Sequence, residues 1–136
     1  MKLFKLPENK PQTPKDTPRN YFIYGETMSG KSYLANEFPN PIVLNTDGNA
    51  EANSVPSIQL LNDKDKSGRI TNSVIKQLGE ILLALQTQEH SYETVVIDVI
   101  DDVIEMIKIA VCDELTPPGK PRLKSLSEIP YGKGYD

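Results

Sequence analysis

A chain of 136 residues, 38% hydrophobic and 25% charged, has the length of one domain and a globular composition, which excludes a disordered or fibrous protein. No apolar run approaches the roughly 18 residues of a membrane span, and the single cysteine, Cys112, excludes an internal disulfide framework or a cysteine zinc cluster. The net charge of −4 is uneven: residues 1–20 carry +3, residues 21–116 carry −9 and residues 117–136 carry +2, so the body is not a basic nucleic-acid surface.

The two ends are candidates for such contacts, through Lys2, Lys5, Lys10, Lys15 and Arg19 in the head and Lys120, Arg122 and Lys124 in the tail. Ordinary solvated linkers are the competing reading. The first residues, Met1-Lys2-Leu3-Phe4-Lys5-Leu6-Pro7, lack the apolar core of a secretory signal, so the cytoplasm, or a host's cytoplasm, is the expected compartment.

Pro7, Pro11, Pro14 and Pro18 make residues 1–18 an extended, proline-rich lead-in, because proline at that density excludes helix and central strand. The domain proper is expected over 19–136. Its first strand is predicted at 20–24, with Tyr21-Phe22-Ile23-Tyr24 as a short buried run. The next eight residues, Gly25-Glu26-Thr27-Met28-Ser29-Gly30-Lys31-Ser32, fit G-x-x-x-x-G-K-[ST], the phosphate-binding P-loop. Each residue type has a task in that chemistry. Gly25 and Gly30 permit backbone conformations that a Cβ opposes, so successive N–H groups can curl round an anion. A helix over 31–38, stopped by Pro39 and Pro41, adds its positive end. Lys31 reaches terminal phosphates, and the Ser32 hydroxyl ligates Mg²⁺. Glu26 and Thr27, in the variable part of the loop, are weaker candidates for phosphate or subunit contacts.

Ile42-Val43-Leu44-Asn45 is a second strand, closed by Asp47-Gly48-Asn49, and Ser57-Ile58-Gln59-Leu60-Leu61 is a weaker third. Residues 62–68 read as a polar loop. Residues 72–88 form a helix with Val74, Leu78, Ile81 and Leu85 on one face. The strand 93–98 contains Thr94-Val95-Val96-Ile97-Asp98, an unalternating β-branched run expected to be buried on both faces of a parallel sheet. Asp98 then emerges at the carboxyl end of the strand, where open α/β sheets bind ligands, as a Walker-B carboxylate holding Mg²⁺ opposite Ser32. Asp101 or Asp102 is expected to cap a helix running through Leu115, with Ile104, Ile107, Val111 and Leu115 inward. The run Thr116-Pro117-Pro118-Gly119-Lys120-Pro121 ends it. Cys112 reads as a small core residue, and His90, in a polar turn, has no assigned role. Strands alternating with helices define an α/β fold with a mainly parallel sheet, a P-loop NTPase with three α/β/α layers. About four strands are visible, so the domain is expected to be incomplete at its carboxyl side, or covered there by partner subunits.

The segments Asn20 to Gly25 with Gly30-Lys31-Ser32, Leu44-Asn45-Thr46-Asp47-Gly48-Asn49, Val96-Ile97-Asp98 with Asp101-Asp102, and Ile129-Pro130-Tyr131-Gly132-Lys133-Gly134-Tyr135 together resemble phage nucleotide-binding ATPases of the RecA-like class. The resemblance covers 19–136. It implies ATP with Mg²⁺, self-association, single-stranded DNA as a partner, no membrane, and a place in phage recombination or annealing. Hydrolysis needs a group that orients water toward the γ-phosphate. Many AAA+ enzymes place Glu directly after the Walker-B Asp, and here that position is Val99. The RecA-like class instead uses an acid at the end of the strand after the P-loop helix, which the resemblance places at Asp47. A turn former is the competing reading of Asp47, and Glu51 is a weaker substitute. A neighbouring subunit's finger would be Arg19, Arg69 or Arg122. The rival functions are a small-molecule or nucleotide kinase, a helicase loader or packaging component, and a nucleotide-binding interaction module without turnover.

Overall fold

A computed structural model describes residues 6, 8–13, 17, 19–48 and 53–129. In chain order these form α1 (Lys31–Asn36), β1 (Pro41–Asn45), β2 (Ser57–Gln59), β3 (Asp63–Lys64), β4 (Ile70–Asn72), α2 (Val74–Thr87), β5 (Thr94–Asp98) and α3 (Ile100–Leu115), followed by a 3₁₀ turn at Leu126–Glu128. A three-stranded sheet has the order β2-β1-β5, and both pairings are parallel. Antiparallel β3 and β4 make a separate hairpin. The protein is therefore an α/β fold, with a parallel sheet flanked by helices as in a P-loop NTPase.

β1 is the centre of the sheet, and its apolar run explains why. Ile42, Val43, Leu44 and Asn45 are all buried, as a strand covered on both faces requires. Its register sets Leu44 between Ile58 and Ile97, and Asn45 between Gln59 and Asp98. Leu44 joins Leu60, Val74 and Val103 in the core, with Leu78, Ile81, Met106 and Ile107 packed against them. Each fully buried aliphatic side chain contributes roughly 1.5–3 kcal/mol. Leu44 thus fixes α2 and α3 on one face of the sheet.

α2 starts where the chain supplies caps. Ser73 Oγ accepts from Lys76 N–H, and the buried Asn62 accepts from Val74 N–H at 2.8 Å while donating to Met106 O at 2.8 Å. One amide thereby ties the start of α2 to the middle of α3. A second polar tie lies at the far end of α3. Asp113, with only 6% of its side chain exposed, lies 2.9 Å from Arg122 Nε and 3.7 Å from Arg69 Nε, and accepts from Ile70 N–H at 3.0 Å. The Arg122 contact is an ion pair. Arg122 also donates to Gly68 O.

Several expectations are corrected. Residues 20–24 pair with no strand and lie exposed, Phe22 at 75% and Tyr24 at 84%. β5 is accordingly an edge of the sheet among the described strands. The β5 run is not buried on both faces: Val95 and Ile97, two positions apart and so on one face, are 46% and 41% exposed, while Thr94, Val96 and Asp98 are half-buried, so one face lacks a covering layer. α1 stops at Asn36, earlier than Phe38, and β2 ends at Gln59. The expected loop 62–68 contains one strand of the β3–β4 hairpin. Its turn is held by Asp65 Oδ1, which accepts from Ser67 N–H, Ser67 Oγ and Arg69 N–H, and by Gly68 at φ 81°. α3 is not capped by Asp101 or Asp102: Val99 is the N-cap and both acids lie in the first turn. The buried stripe of α3 runs through Val103, Ala110 and Cys112, leaving Ile104 and Leu115 outside. The tail motif from Pro130 to Tyr135, together with Asn49, Glu51, Lys2, Lys5 and Lys15, lies outside the described residues.

Candidate functional site

The loop from Gly25 to Gly30 is exposed and follows the unpaired segment directly. Gly30 is the N-cap of α1 at φ 87°, and Met28 adopts φ 64°, so the chain curls through left-handed backbone. A Cβ on Gly25 would stand 3.0 Å from Ser29 Oγ. Gly30 is therefore favoured by conformation, while a side chain at 25 would require the Ser29 hydroxyl to give way by a few tenths of an ångström. α1 has only six residues, so anion binding falls to the loop N–H groups and Lys31 more than to a helix dipole.

Lys31 Nζ bends back into the curl. It donates to Gly25 O at 2.9 Å, to Glu26 O at 2.5 Å and to Ser29 Oγ at 3.4 Å. A phosphate entering the curl would compete with these oxygens for the ammonium. Glu26 and Ser29 take part in the loop through those contacts, and Ser29 N–H also donates to Glu26 O at 3.3 Å. Thr27 and Met28 have exposed side chains at the loop's tip.

Ser32, the next residue, donates from Oγ to Asp98 Oδ2 at 2.6 Å. The fold brings these two together because α1 packs on β1 and β5. Asp98 ends β5 opposite Asn45, and Asp47 follows two residues later, exposed, its N–H donating to Asn45 Oδ1 at 3.0 Å. The P-loop, Asp98 and Asp47 thus share the carboxyl end of the sheet. Glu105 and Lys108 line a cavity of about 410 Å³ between α3 and residues 122–127, which none of the P-loop residues, Asp47 or Asp98 lines.

The donor set fits Mg²⁺. A hydroxyl and a carboxylate are hard oxygen ligands, and Mg²⁺ characteristically takes one or two protein oxygens with the remainder from phosphate and water. Among the described residues no group of three or more His, Cys, Asp or Glu side chains is arranged to hold a metal by itself.

Thr46 is a residue that sequence reasoning passed over. Its N–H donates to Asp98 O at 2.9 Å, and its hydroxyl accepts from Val99 N–H at 3.1 Å while donating to Asp102 Oδ2 at 2.9 Å. The available signal was a hydroxyl residue just past β1 and an acid four positions after Asp98. Of the three arginines, Arg69 and Arg122 are engaged by Asp113, whereas Arg19 is exposed.

A family profile for AAA domains matches residues 17–136. The chain belongs to this family of AAA domains, and its class is that of P-loop nucleotide-binding ATPases. No curated protein and no solved structure matches it. No helix among the described residues is long and apolar enough to cross a membrane.

Proposed function

We propose that this chain is the ATP-binding and ATP-hydrolysing domain of a phage DNA recombination or single-strand annealing protein, RecA-like in its core. The contact between Ser32 and Asp98 carries the nucleotide part of this reading, because a hydroxyl and a carboxylate side by side, next to a glycine loop bearing a lysine, are what Mg²⁺ with a phosphate would need. Gly25, Glu26, Thr27, Met28, Ser29, Gly30 and Lys31 would surround the phosphates, and Ser32 and Asp98 would hold Mg²⁺. Bound there, Mg²⁺ would neutralise charge on the phosphate oxygens. Asp47, exposed at the neighbouring strand end, would orient the attacking water.

The recombination part rests on the sequence resemblance and on charge. Lys10, Arg19, Lys120 and Lys124 are exposed, while the body is acidic. The open edge of β5 supports a domain that takes up further strands, from the same polypeptide or a partner subunit, and hence supports self-association. A kinase reading draws less support, since residues 64–69 are mixed in charge and residues 65–69 form a turn held by Asp65, with Arg69 facing Asp113.

Phosphate release from Mg·ATP, with single-stranded DNA titrated at low salt, tests the proposal. Release stimulated by DNA is the expected result. Tight ATP binding without release at any DNA concentration would instead indicate a nucleotide-binding module, and phosphate transfer to a nucleoside monophosphate would indicate a kinase.

A further inference from the structure

We infer that Thr46 and Asp102 are positioning residues for the metal-binding carboxylate of the nucleotide site, an inference that rests on the reading just given. Thr46 holds the main chain on both sides of the Asp98 carbonyl carbon. Its N–H donates to Asp98 O, and its hydroxyl oxygen accepts from Val99 N–H, so one residue at the end of the neighbouring strand fixes the peptide that follows Asp98. A hydroxyl has a single proton and accepts through its lone pairs. Two acceptors lie within reach of that proton, Asp102 Oδ2 at 2.9 Å and Asp98 O at 3.4 Å; the shorter contact, to the carboxylate, takes it and leaves a lone pair facing Val99 N–H. Asp102 therefore sets the polarity of the hydroxyl, and the hydroxyl sets the peptide.

An ionised carboxylate accepts only, so it cannot compete with Val99 for the Thr46 oxygen. An amide at 102 can donate, and would offer the hydroxyl an alternative arrangement. Thr46 also directly precedes Asp47, so the same residue links the two acids assigned to metal and water. Asp102 is exposed, which screens its charge and leaves hydrogen-bond geometry as its route of action.

The inference predicts a defect specific to Mg²⁺. ATP affinity is measured in EDTA and in Mg²⁺ for the wild-type chain, Thr46→Val, Thr46→Ser and Asp102→Asn, with thermal midpoints recorded alongside. Thr46→Val and Asp102→Asn should keep their EDTA affinity within about threefold and lose about tenfold of the gain that Mg²⁺ gives, a difference of about 1.4 kcal/mol. Thr46→Ser should retain that gain, because it keeps the hydroxyl. An unchanged Mg²⁺ gain in both Thr46→Val and Asp102→Asn overturns the inference. So does an equal loss in EDTA and in Mg²⁺, which is the behaviour of a purely structural fastening. If Thr46→Val does not fold, Asp102→Asn and Thr46→Ser decide by the same criteria. A wild-type chain that binds no ATP, or binds it with no gain from Mg²⁺, sinks the nucleotide-site reading itself, and the two failures are thereby told apart.

Discussion

Ser32 and Asp98 are separated by 66 positions in sequence, yet Ser32 Oγ donates a 2.6 Å hydrogen bond to Asp98 Oδ2. That contact joins the end of the phosphate loop to the end of β5 and sets two hard oxygens side by side. Asp98→Asn keeps an acceptor for Ser32 but removes the anionic charge that a divalent cation requires. The variant is expected to fold normally and to lose roughly tenfold or more of the Mg²⁺-dependent part of ATP affinity. Titration of ATP with and without Mg²⁺ checks this, and an undiminished Mg²⁺ effect would remove Asp98 from the metal shell.

Lys31→Ala should weaken phosphate affinity sharply. The ammonium is held by Gly25 O and Glu26 O within the loop, so it is already directed into the curl. A hydrogen bond to a charged group contributes about 1.5–3 kcal/mol, and one lost phosphate contact of that size weakens binding by roughly 10- to 150-fold. Calorimetric titration with ATP reads the effect directly. Affinity equal to wild type would sink the P-loop assignment.

Asp47→Asn separates binding from turnover. Asp47 is exposed beside the site, and no phosphate contact is assigned to it. ATP affinity is expected to stay within about threefold of wild type, while hydrolysis falls on the order of a hundredfold, the scale of a lost general base. Single-turnover phosphate release is the appropriate assay, and an unchanged rate leaves Asp47 as a turn residue.

The P-loop, β1, α2 and α3 were legible because each carries a local signal: a glycine pattern, an apolar run, a helical period. What was not legible depends on neighbours. The segment 20–24 has the composition of a buried strand but no described partner, and β5 reads as central while lying at an edge. The β3–β4 hairpin was hidden because its strands are short and polar, and the Asp65 turn does the organising. On α3 the apolar residues are numerous enough to fit two stripes, and packing on Leu44 chose Val103 over Ile104. Within the site, motif spacing nominated Lys31, Ser32 and Asp98. Only the parallel register of β1 with β5 set Thr46 against Val99 and Asp102.

Cys112 lies buried on α3, and burial pushes its thiol above the ordinary range, with the nearby Glu128 carboxylate adding to the shift. The thiolate is the reactive form, so alkylation of the native chain should be slower than that of the denatured chain by on the order of tenfold or more. The sign for stability follows from the same shift. A raised value means that the folded state holds the proton more tightly, so this contribution is complete at neutral pH and is lost as pH rises past the unfolded thiol's value. Iodoacetamide trapping across pH 7–10 checks both statements. Equal native and denatured rates would place Cys112 outside the core.

The open edge of β5 gives the final prediction. Thr94–Asp98 contains no proline, glycine or lysine, and among the described strands it pairs only with β1. An unpaired edge of β-branched residues is a template for another strand, and natural edges are blunted by charge, proline or a bulge. Asp98 at the very end is the only charge in the strand, and exposed Tyr21, Phe22 and Tyr24 lie on the segment that leads into the loop above it. The isolated chain is therefore expected to self-associate with rising concentration. Val95→Lys introduces a charge at a position 46% exposed, where its cost to folding is small, within about 0.5 kcal/mol for an ordinary surface site. Light scattering coupled to size exclusion should show the variant closer to a monomer than the wild type, with the same circular dichroism. Equal self-association of the two would mean that β5 is not the contacting edge, and the exposed aromatic residues at 21, 22 and 24 would be the next to change.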